Sequence, residues 1–169
     1  MRTEIAVLLH NIRSTHNVGS IFRTADAAGI SRIYLSGYTP TPTDRFGRVQ
    51  KDIAKTALGA EEYIPWEYRK LPLPPIAELK KNGWYIVAVE QDACARDYRK
   101  FKAKQKTLFV FGNEVKGVPK NILKQCDAIV EIPMRGAMVR QADHSRHTRL
   151  GKESLNVSVA AGIILFSIR

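Results

Sequence analysis

The chain has 169 residues, of which 44% are hydrophobic, enough to bury the core of one ordinary domain. Its net charge of +11, from 27 Lys and Arg against 16 Asp and Glu, favours a polyanionic partner such as RNA or DNA. Two cysteines exclude a disulfide framework and a zinc site, and no segment reaches the roughly 18 apolar residues of a membrane span. We therefore expect a cytoplasmic protein without a signal peptide, membrane segment or metal.

Short apolar runs alternate with amphipathic segments in the first half of the chain. The run EIAVLLH at 4–10 predicts a buried strand, and the segment 17–29 predicts a helix that ends at its glycine. A second strand is predicted over 32–38 and a loop rich in Pro and Thr over 39–48. After this loop, 49–61 predicts one short helix and 62–66 a short strand.

The same alternation continues to the end of the chain. Helices are predicted within 71–83, 119–126 and 153–168, and strands over 84–90, 107–112 and 127–133. The last helix is apolar on nearly all sides, which indicates burial in the core or at a subunit interface. Together these elements predict one α/β domain over 1–169, with a mostly parallel sheet flanked by helices.

Polar clusters follow three of the predicted strands, where α/β sheets bind their ligands. They read HNIRSTHN after the first strand, GNEVKG after the strand 107–112 and PMRG after the strand 127–133. The sequence has no G-x-G-x-x-G and no P-loop motif. Each cluster alone also has a purely structural interpretation: Arg23 could pair with Asp26, Glu114 could belong to a turn, and Ser154 could cap the last helix.

Taken in order, however, the clusters resemble the three motifs of the SpoU/TrmH branch of the SPOUT methyltransferases. The resemblance covers nearly the whole chain, including SGYTP, KTALGAEEYIPWEY and VEQDA between the motifs. It implies an RNA ribose 2′-O-methyltransferase that uses S-adenosyl-L-methionine. It also implies a homodimer and an α/β fold with a C-terminal trefoil knot. Because the first strand begins near the start of the chain, the sequence resembles a minimal, single-domain member.

The resemblance assigns a role to each matching residue. The polar residues around the methyl acceptor would be Asn17, Arg23, Glu114, Ser154 and Asn156. The main chain and apolar side chains that hold the cofactor would be Val89, Gly112, Ile132, Met134 and Leu155. Arg23 matches an arginine proposed to help deprotonate the ribose hydroxyl. Since a guanidinium pKa is roughly 12.5 or more, a milder role is to bind a phosphate and steer the hydroxyl toward the methyl group.

A basic strip between 94 and 106 carries six basic residues and one acid, with Tyr98 and Phe101 interleaved. It is either a strip that binds the RNA backbone or a solvated connector. The candidate RNA-binding residues are Arg96, Arg99, Lys100, Lys102 and Lys104. The loop 39–48 is a second candidate.

An insertion of 14 residues at 137–150 departs from the family pattern, in which IPM-x-G runs within a few residues into ESLNVSVA. Its His144 and His147 are too few for a metal site. It has few apolar residues to bury, so we expect a mobile surface loop. This loop either contacts RNA through its arginines or perturbs the cofactor site, and the second outcome is favoured.

Three functions follow from these patterns. The first is 2′-O-methylation of a ribose in structured RNA, with tRNA favoured over rRNA. The second is a non-catalytic RNA-binding SPOUT domain whose cofactor site the insertion has perturbed. The third is methylation of a base, which the pairing of Arg23 and Asn17 with the SLN triplet disfavours.

Overall fold

The computed structural model describes residues 3–135 and 154–168. Its strands are β1 (Glu4–His10), β2 (Arg32–Ser36), β3 (Trp66–Arg69), β4 (Tyr85–Val89), β5 (Arg96–Asp97), β6 (Lys106–Phe111) and β7 (Ala128–Glu131). They form one sheet in the order β3-β2-β1-β6-β4-β7-β5, and every strand pairing in the described residues is parallel. The predicted parallel α/β architecture is therefore confirmed.

Helices connect these strands and cover both faces of the sheet. They are α1 (Thr15–Ala27), α2 (Lys51–Ala57), α3 (Ala60–Tyr63), α4 (Leu73–Lys81), α5 (Lys120–Leu123) and α6 (Val157–Ser167). A single 3-10 turn, Tyr98–Lys100, follows β5. Within the described part of the chain, no helix has the length and apolarity needed to cross a membrane.

The alternation of side chains along β1 explains why both faces are covered. Val7 and Leu9 face a core that includes residues of α1, α2, α3 and α6. Ala6 and Leu8 face a second core, formed with residues of α4 and α5. Because β1 and its neighbour β6 are buried on both faces, their sequences read as continuous apolar runs rather than as an alternation.

Two predicted elements differ from the structure, and one observed strand was not predicted. The helix predicted over 49–61 is two helices, because Leu58 and Gly59 adopt left-handed φ angles of 52° and 92° between them. The strand predicted over 62–66 is wrong: Tyr63 ends α3, and the strand occupies Trp66–Arg69. The edge strand β5, within the basic strip, was not predicted.

The trefoil knot and the extent of the predicted single domain remain predictions. The insertion at 137–150, together with its His144 and His147, lies outside the described residues.

Candidate active site

A pocket of about 280 Å³ lies where the carboxyl ends of β4, β6 and β7 meet the start of α6. Parallel sheets place their ligand sites at this edge because the loops after neighbouring strands converge there. All five residues predicted to hold the cofactor line it: Val89, Gly112, Ile132, Met134 and Leu155. Glu114 and Ser154, predicted on the methyl-acceptor side, line it as well.

The loop after β6 forms one wall of the pocket by folding back on itself. The backbone N–H of Gly117 donates to the carbonyl of Asn113 at 2.8 Å. A Cβ on Gly112 would overlap the backbone of Gly117, so only glycine fits there. The Glu90 carboxylate secures the far end of the loop by accepting from the backbone N–H of Val118 at 2.7 Å. This wall therefore offers main chain, rather than side chains, to a ligand.

Glu114 is held as a carboxylate. It accepts from the backbone N–H groups of Arg13 and Ser14, at 3.0 and 3.2 Å, and from the side-chain amide of Asn17 at 3.1 Å. Burial acts in the opposite sense and is the largest single effect. The hydrogen bonds together outweigh it, and the pKa of Glu114 lies below its usual value. Because its oxygens are occupied by donors, Glu114 ties the loop before α1 to the loop after β6.

Asn17 connects Glu114 to the last helix. Its amide nitrogen donates to Glu114, and its amide oxygen accepts from the side chain of Asn156 at 3.1 Å. Asn156 caps α6, since its oxygen accepts from the backbone N–H of Ser158 at 2.8 Å. Three of the five predicted acceptor residues thus form one chain of hydrogen bonds. The cap of α6 is Asn156 and not Ser154, which is exposed at the pocket.

Arg23 is not brought to this group. It lies six residues beyond Asn17 on α1, which corresponds to about 9 Å along the helix axis and a different helix face. Its side chain is exposed, and within the described residues neither Asp26 nor any other carboxylate forms an ion pair with it. Among the described residues, Arg23 is therefore an exposed guanidinium without an ion-pair partner.

A buried polar cluster beside the pocket was not predicted. Asn113 is 7% exposed, and its amide nitrogen donates to the Asn11 carbonyl and to the Tyr38 hydroxyl, both at 2.9 Å. The Asn11 side chain contacts His10 Nε2 at 3.0 Å, and burial lowers the pKa of His10. Asn11 has a φ of 57°, which is unusual for a residue other than glycine. Asparagine adopts such angles more often than most residues, so an Asn directly after a strand is a sequence signal for this turn.

The basic strip begins with β5 at the carboxyl edge of the sheet, where the pocket lies. It then runs to the start of β6 at the amino edge of the sheet. All five predicted RNA-binding side chains are exposed: Arg96, Arg99, Lys100, Lys102 and Lys104. Arg99, however, is paired with Asp97, and its hydrogen bonds lower the pKa of that carboxyl to about 2. Lys104 lies over the ring of Tyr85, 3.8 Å from its centre. Phe101 anchors the strip by packing against the core.

The described residues contain no cluster of three or more His, Cys, Asp or Glu side chains that could hold a metal ion.

The fold and this site together define a class of protein. It is a parallel α/β protein with a small-molecule pocket at the carboxyl edge of its sheet, walled by main chain and joined to a polar network. A sequence profile of the SpoU rRNA Methylase family matches residues 4–140, and the chain belongs to this family. The predicted SpoU/TrmH membership is confirmed.

Relatives and solved structures agree with this assignment. A Staphylococcus haemolyticus protein, named as a TrmH family tRNA/rRNA methyltransferase, is 30% identical over 96% of this chain and 57% of its own length. An AdoMet-bound rRNA methyltransferase from Sinorhizobium meliloti superposes with a TM-score of 0.79 at 28% identity, over 100% of this chain and 57% of its own. A TrmH/SpoU tRNA modifying enzyme of A. aeolicus gives 0.78 at 27%, over 99% and 74%. The chain thus spans little more than half the length of the first two proteins.

Proposed function

We propose that this protein transfers the methyl group of S-adenosyl-L-methionine to a ribose 2′-hydroxyl of structured RNA in the cytoplasm, with tRNA favoured over rRNA. The observation that carries the proposal is the pocket itself. The five side chains and backbone positions expected to hold the cofactor line one cavity, and the hydrogen-bonded chain from Glu114 to Asn156 runs along its edge. Membership of the SpoU family supports the same chemistry.

The residues of the pocket suit this cofactor. Val89, Ile132 and Leu155 offer apolar walls to a planar base, and the loop at Gly112 lets main chain approach it closely. Three carboxylates line the pocket, from Glu90, Glu114 and Glu131, which favours a cationic ligand. When bound, the cofactor supplies an activated methyl group, so the protein contributes orientation and electrostatics.

The protein's polar residues act by positioning in this proposal. Glu114 is a poor general base because its pKa is lowered and its oxygens already accept hydrogen bonds. It fixes Asn17 instead, and Asn17 in turn fixes the start of α6. The exposed hydroxyl of Ser154 is free to orient a ribose at the pocket. Arg23, with its exposed guanidinium, binds a phosphate of the RNA.

A radioactive transfer assay tests the proposal. Tritiated cofactor is incubated with bulk tRNA and bulk rRNA, and the products are hydrolysed in alkali. A methylated ribose blocks cleavage of the next phosphodiester, because the 2′-hydroxyl is the attacking group. Label in alkali-resistant dinucleotides from tRNA is the expected result. Label in mononucleotides would show base methylation instead.

A non-catalytic RNA-binding domain is the second candidate, and the insertion at 137–150 is the observation that favours it. It predicts no labelled RNA at all. Deleting 137–150 restores the spacing that is typical of the family. We expect the deletion to raise cofactor affinity in calorimetry. Unchanged or lower affinity would show that the insertion does not perturb the site.

We also propose that the protein is a homodimer. Helix α6 buries Ala161 and Ile164 against the core, while Val159 and Phe166 on the same helix are 49% and 53% exposed. A second copy would cover these apolar side chains. Sedimentation equilibrium at micromolar concentration tests this, and a monomer would contradict it.

A further inference from the structure

A small hairpin in the loop after β2, residues 43–49, has no role in the site described above. Thr43 and Val49 form an antiparallel bridge. Inside it, the backbone N–H of Asp44 donates to the Arg48 carbonyl at 2.9 Å, and that of Gly47 donates to the Asp44 carbonyl at 3.0 Å. This surface loop therefore has a defined backbone conformation.

The Asp44 carboxylate fixes the tip of the hairpin. It accepts from the backbone N–H groups of Phe46 and Arg48 at 2.8 and 3.0 Å. It also accepts from the Arg48 guanidinium, with 2.7 Å between Nε and Oδ2. The position of the Arg48 side chain is thus set by the hairpin itself.

Phe46 stands exposed at this tip with two guanidinium groups close to its ring. Its side chain is 67% exposed. The guanidinium carbon of Arg45 lies 4.7 Å from the centre of its ring and that of Arg48 lies 5.2 Å away. Tyr63, another exposed aromatic residue, has different neighbours. Tyr63 is 79% exposed, but it follows the acidic pair Glu61 and Glu62 on α3.

The base of the hairpin is fixed next to the pocket. The Thr39 hydroxyl is buried and accepts from the backbone N–H of Ile12 at 3.1 Å. The backbone N–H of Gln50 donates to the Pro42 carbonyl at 2.8 Å, just before α2 begins. The preceding residue, Tyr38, accepts from Asn113 through its hydroxyl, and Asn113 lines the pocket. Thr43 lies five positions beyond Tyr38, so the two residues can be at most about 18 Å apart.

We propose that the hairpin 43–49 is a stacking platform for an unpaired base of the RNA substrate. The base replaces the Arg45 guanidinium on one face of the Phe46 ring, and Arg45 then contacts a neighbouring phosphate. The inference rests on the proposed function for the identity of the ligand as RNA. It adds that the substrate has an unpaired nucleotide near the methylated ribose.

Charge and geometry favour RNA over another occupant. Every nucleobase has a π-face that can stack on an aromatic ring, and arginine adds a cation–π contribution. An unpaired base is flanked by phosphates, which match the charge of Arg45. A protein partner would require a larger apolar surface than the single ring of Phe46 provides.

The test uses a short single-stranded RNA that carries one 2-aminopurine, whose fluorescence falls when it stacks. We expect Phe46→Ala to weaken binding about tenfold, and to abolish the quenching. Phe46→Trp should retain both, because indole also stacks. Tyr63→Ala, which removes an even more exposed aromatic side chain beside acidic residues, should match the parent.

The salt dependence of binding separates stacking from phosphate contact. Phe46→Ala should weaken binding at every salt concentration without changing the log–log slope. Arg45→Gln should reduce that slope by about 0.7, the value for one phosphate contact on a single strand. A Phe46→Ala variant that binds and quenches like the parent would overturn the inference.

Two further outcomes are informative. If Phe46→Ala changes the assembly state of the free protein while RNA binding is unchanged, the hairpin contacts a second copy and the inference is wrong. Failure of the proposed function is recognised separately, because it appears as missing methyl transfer in the alkaline assay. The binding measurement requires no methyl transfer.

Discussion

The edge of the pocket and the basic strip hold their polar side chains in opposite ways. At the pocket, Glu114, Asn17 and Asn156 form one chain of hydrogen bonds that joins segments 97 and 139 residues apart. In the strip, Lys100 and Lys102 are exposed and form no ion pair with other described residues. The first arrangement fixes geometry, and the second leaves charge free to move.

This difference matches two different tasks in the proposed methylation of RNA. Methyl transfer requires the acceptor and the methyl group to be aligned closely, and rigid groups achieve this with little loss of entropy at the moment of reaction. Contact with the RNA backbone requires charge more than fixed geometry, because phosphates repeat along the chain and carry no sequence information. Changes at the pocket should therefore alter turnover or cofactor affinity, and changes in the strip should alter the salt dependence of binding.

Arg23 gives the sharpest test of this difference between the pocket and the basic strip. Its side chain is exposed, as in the strip, but it is predicted to act in methyl transfer at the pocket. We expect Arg23→Ala to lower methyl transfer about 100-fold or more, because the ribose loses its alignment. Cofactor affinity, measured by calorimetry, should stay nearly unchanged. Lys55→Ala on α2, which removes another exposed cation, should keep normal turnover. A near-normal rate for Arg23→Ala would place this arginine among the replaceable surface charges.

Gly112 tests whether the main-chain wall is needed. In Gly112→Ala the new Cβ would overlap the backbone of Gly117, and we expect cofactor affinity to fall and stability to drop by about 1–3 kcal/mol. The matched control is Gly162→Ala in α6, whose Cβ would meet the Thr24 methyl at 4.0 Å, an ordinary contact. That variant should be neutral or stabilised by up to about 1 kcal/mol. Equal behaviour of the two variants would argue against a tightly packed wall.

Glu114 tests the hydrogen-bonded chain and its dependence on pH. Glu114→Gln places an N–H donor where the carboxylate accepted one, and we expect a loss of about 1–2 kcal/mol in urea unfolding at pH 7. Since folding lowers the pKa of Glu114 below 4.5, its contribution is complete above that pH. The contribution is lost as pH falls through the folded value.

The difference between parent and Glu114→Gln should therefore shrink below about pH 4.5. Glu62 is an exposed acid on α3 and serves as the control. Glu62→Gln should leave the free energy of unfolding close to that of the parent at pH 7. A constant gap across this pH range would mean that the charge of Glu114 is not what stabilises the loop.

Sequence reasoning found the strands and the pocket residues more reliably than the contacts among them. Strand β1 is marked by a continuous apolar run, and α1 by apolar residues at helical spacing followed by a glycine. The positions of both elements were therefore predicted closely. The break between α2 and α3 has one sequence signal, Gly59, which is a residue typical of helix ends. The left-handed angle at Leu58 has none. The two-residue strand β5 is specified by its pairing with β7 and not by its own composition.

The candidate site shows the same limit. Family resemblance named Glu114 and Asn17 separately, but only folding brings them within 3.1 Å. Asn113 has no distinguishing signal within GNEVKG, yet it is the buried centre of the neighbouring cluster. Spacing along the chain carries no information on contacts between residues about 100 positions apart.

The basic strip should show the smallest effects, and the structure ranks its members. Lys104 lies over Tyr85, whereas Lys100 and Lys102 have no such ring contact among the described residues. We therefore expect the pair Lys100→Gln and Lys102→Gln to flatten the salt dependence of RNA binding by about 0.7–0.9 per lost phosphate contact. Lys104→Gln should flatten it less, and Lys81→Gln at the end of α4 should leave it unchanged. The measurement is a titration of labelled tRNA at several salt concentrations. If Lys104→Gln has the larger effect, the ring of Tyr85 presents that ammonium to the RNA rather than holding it away.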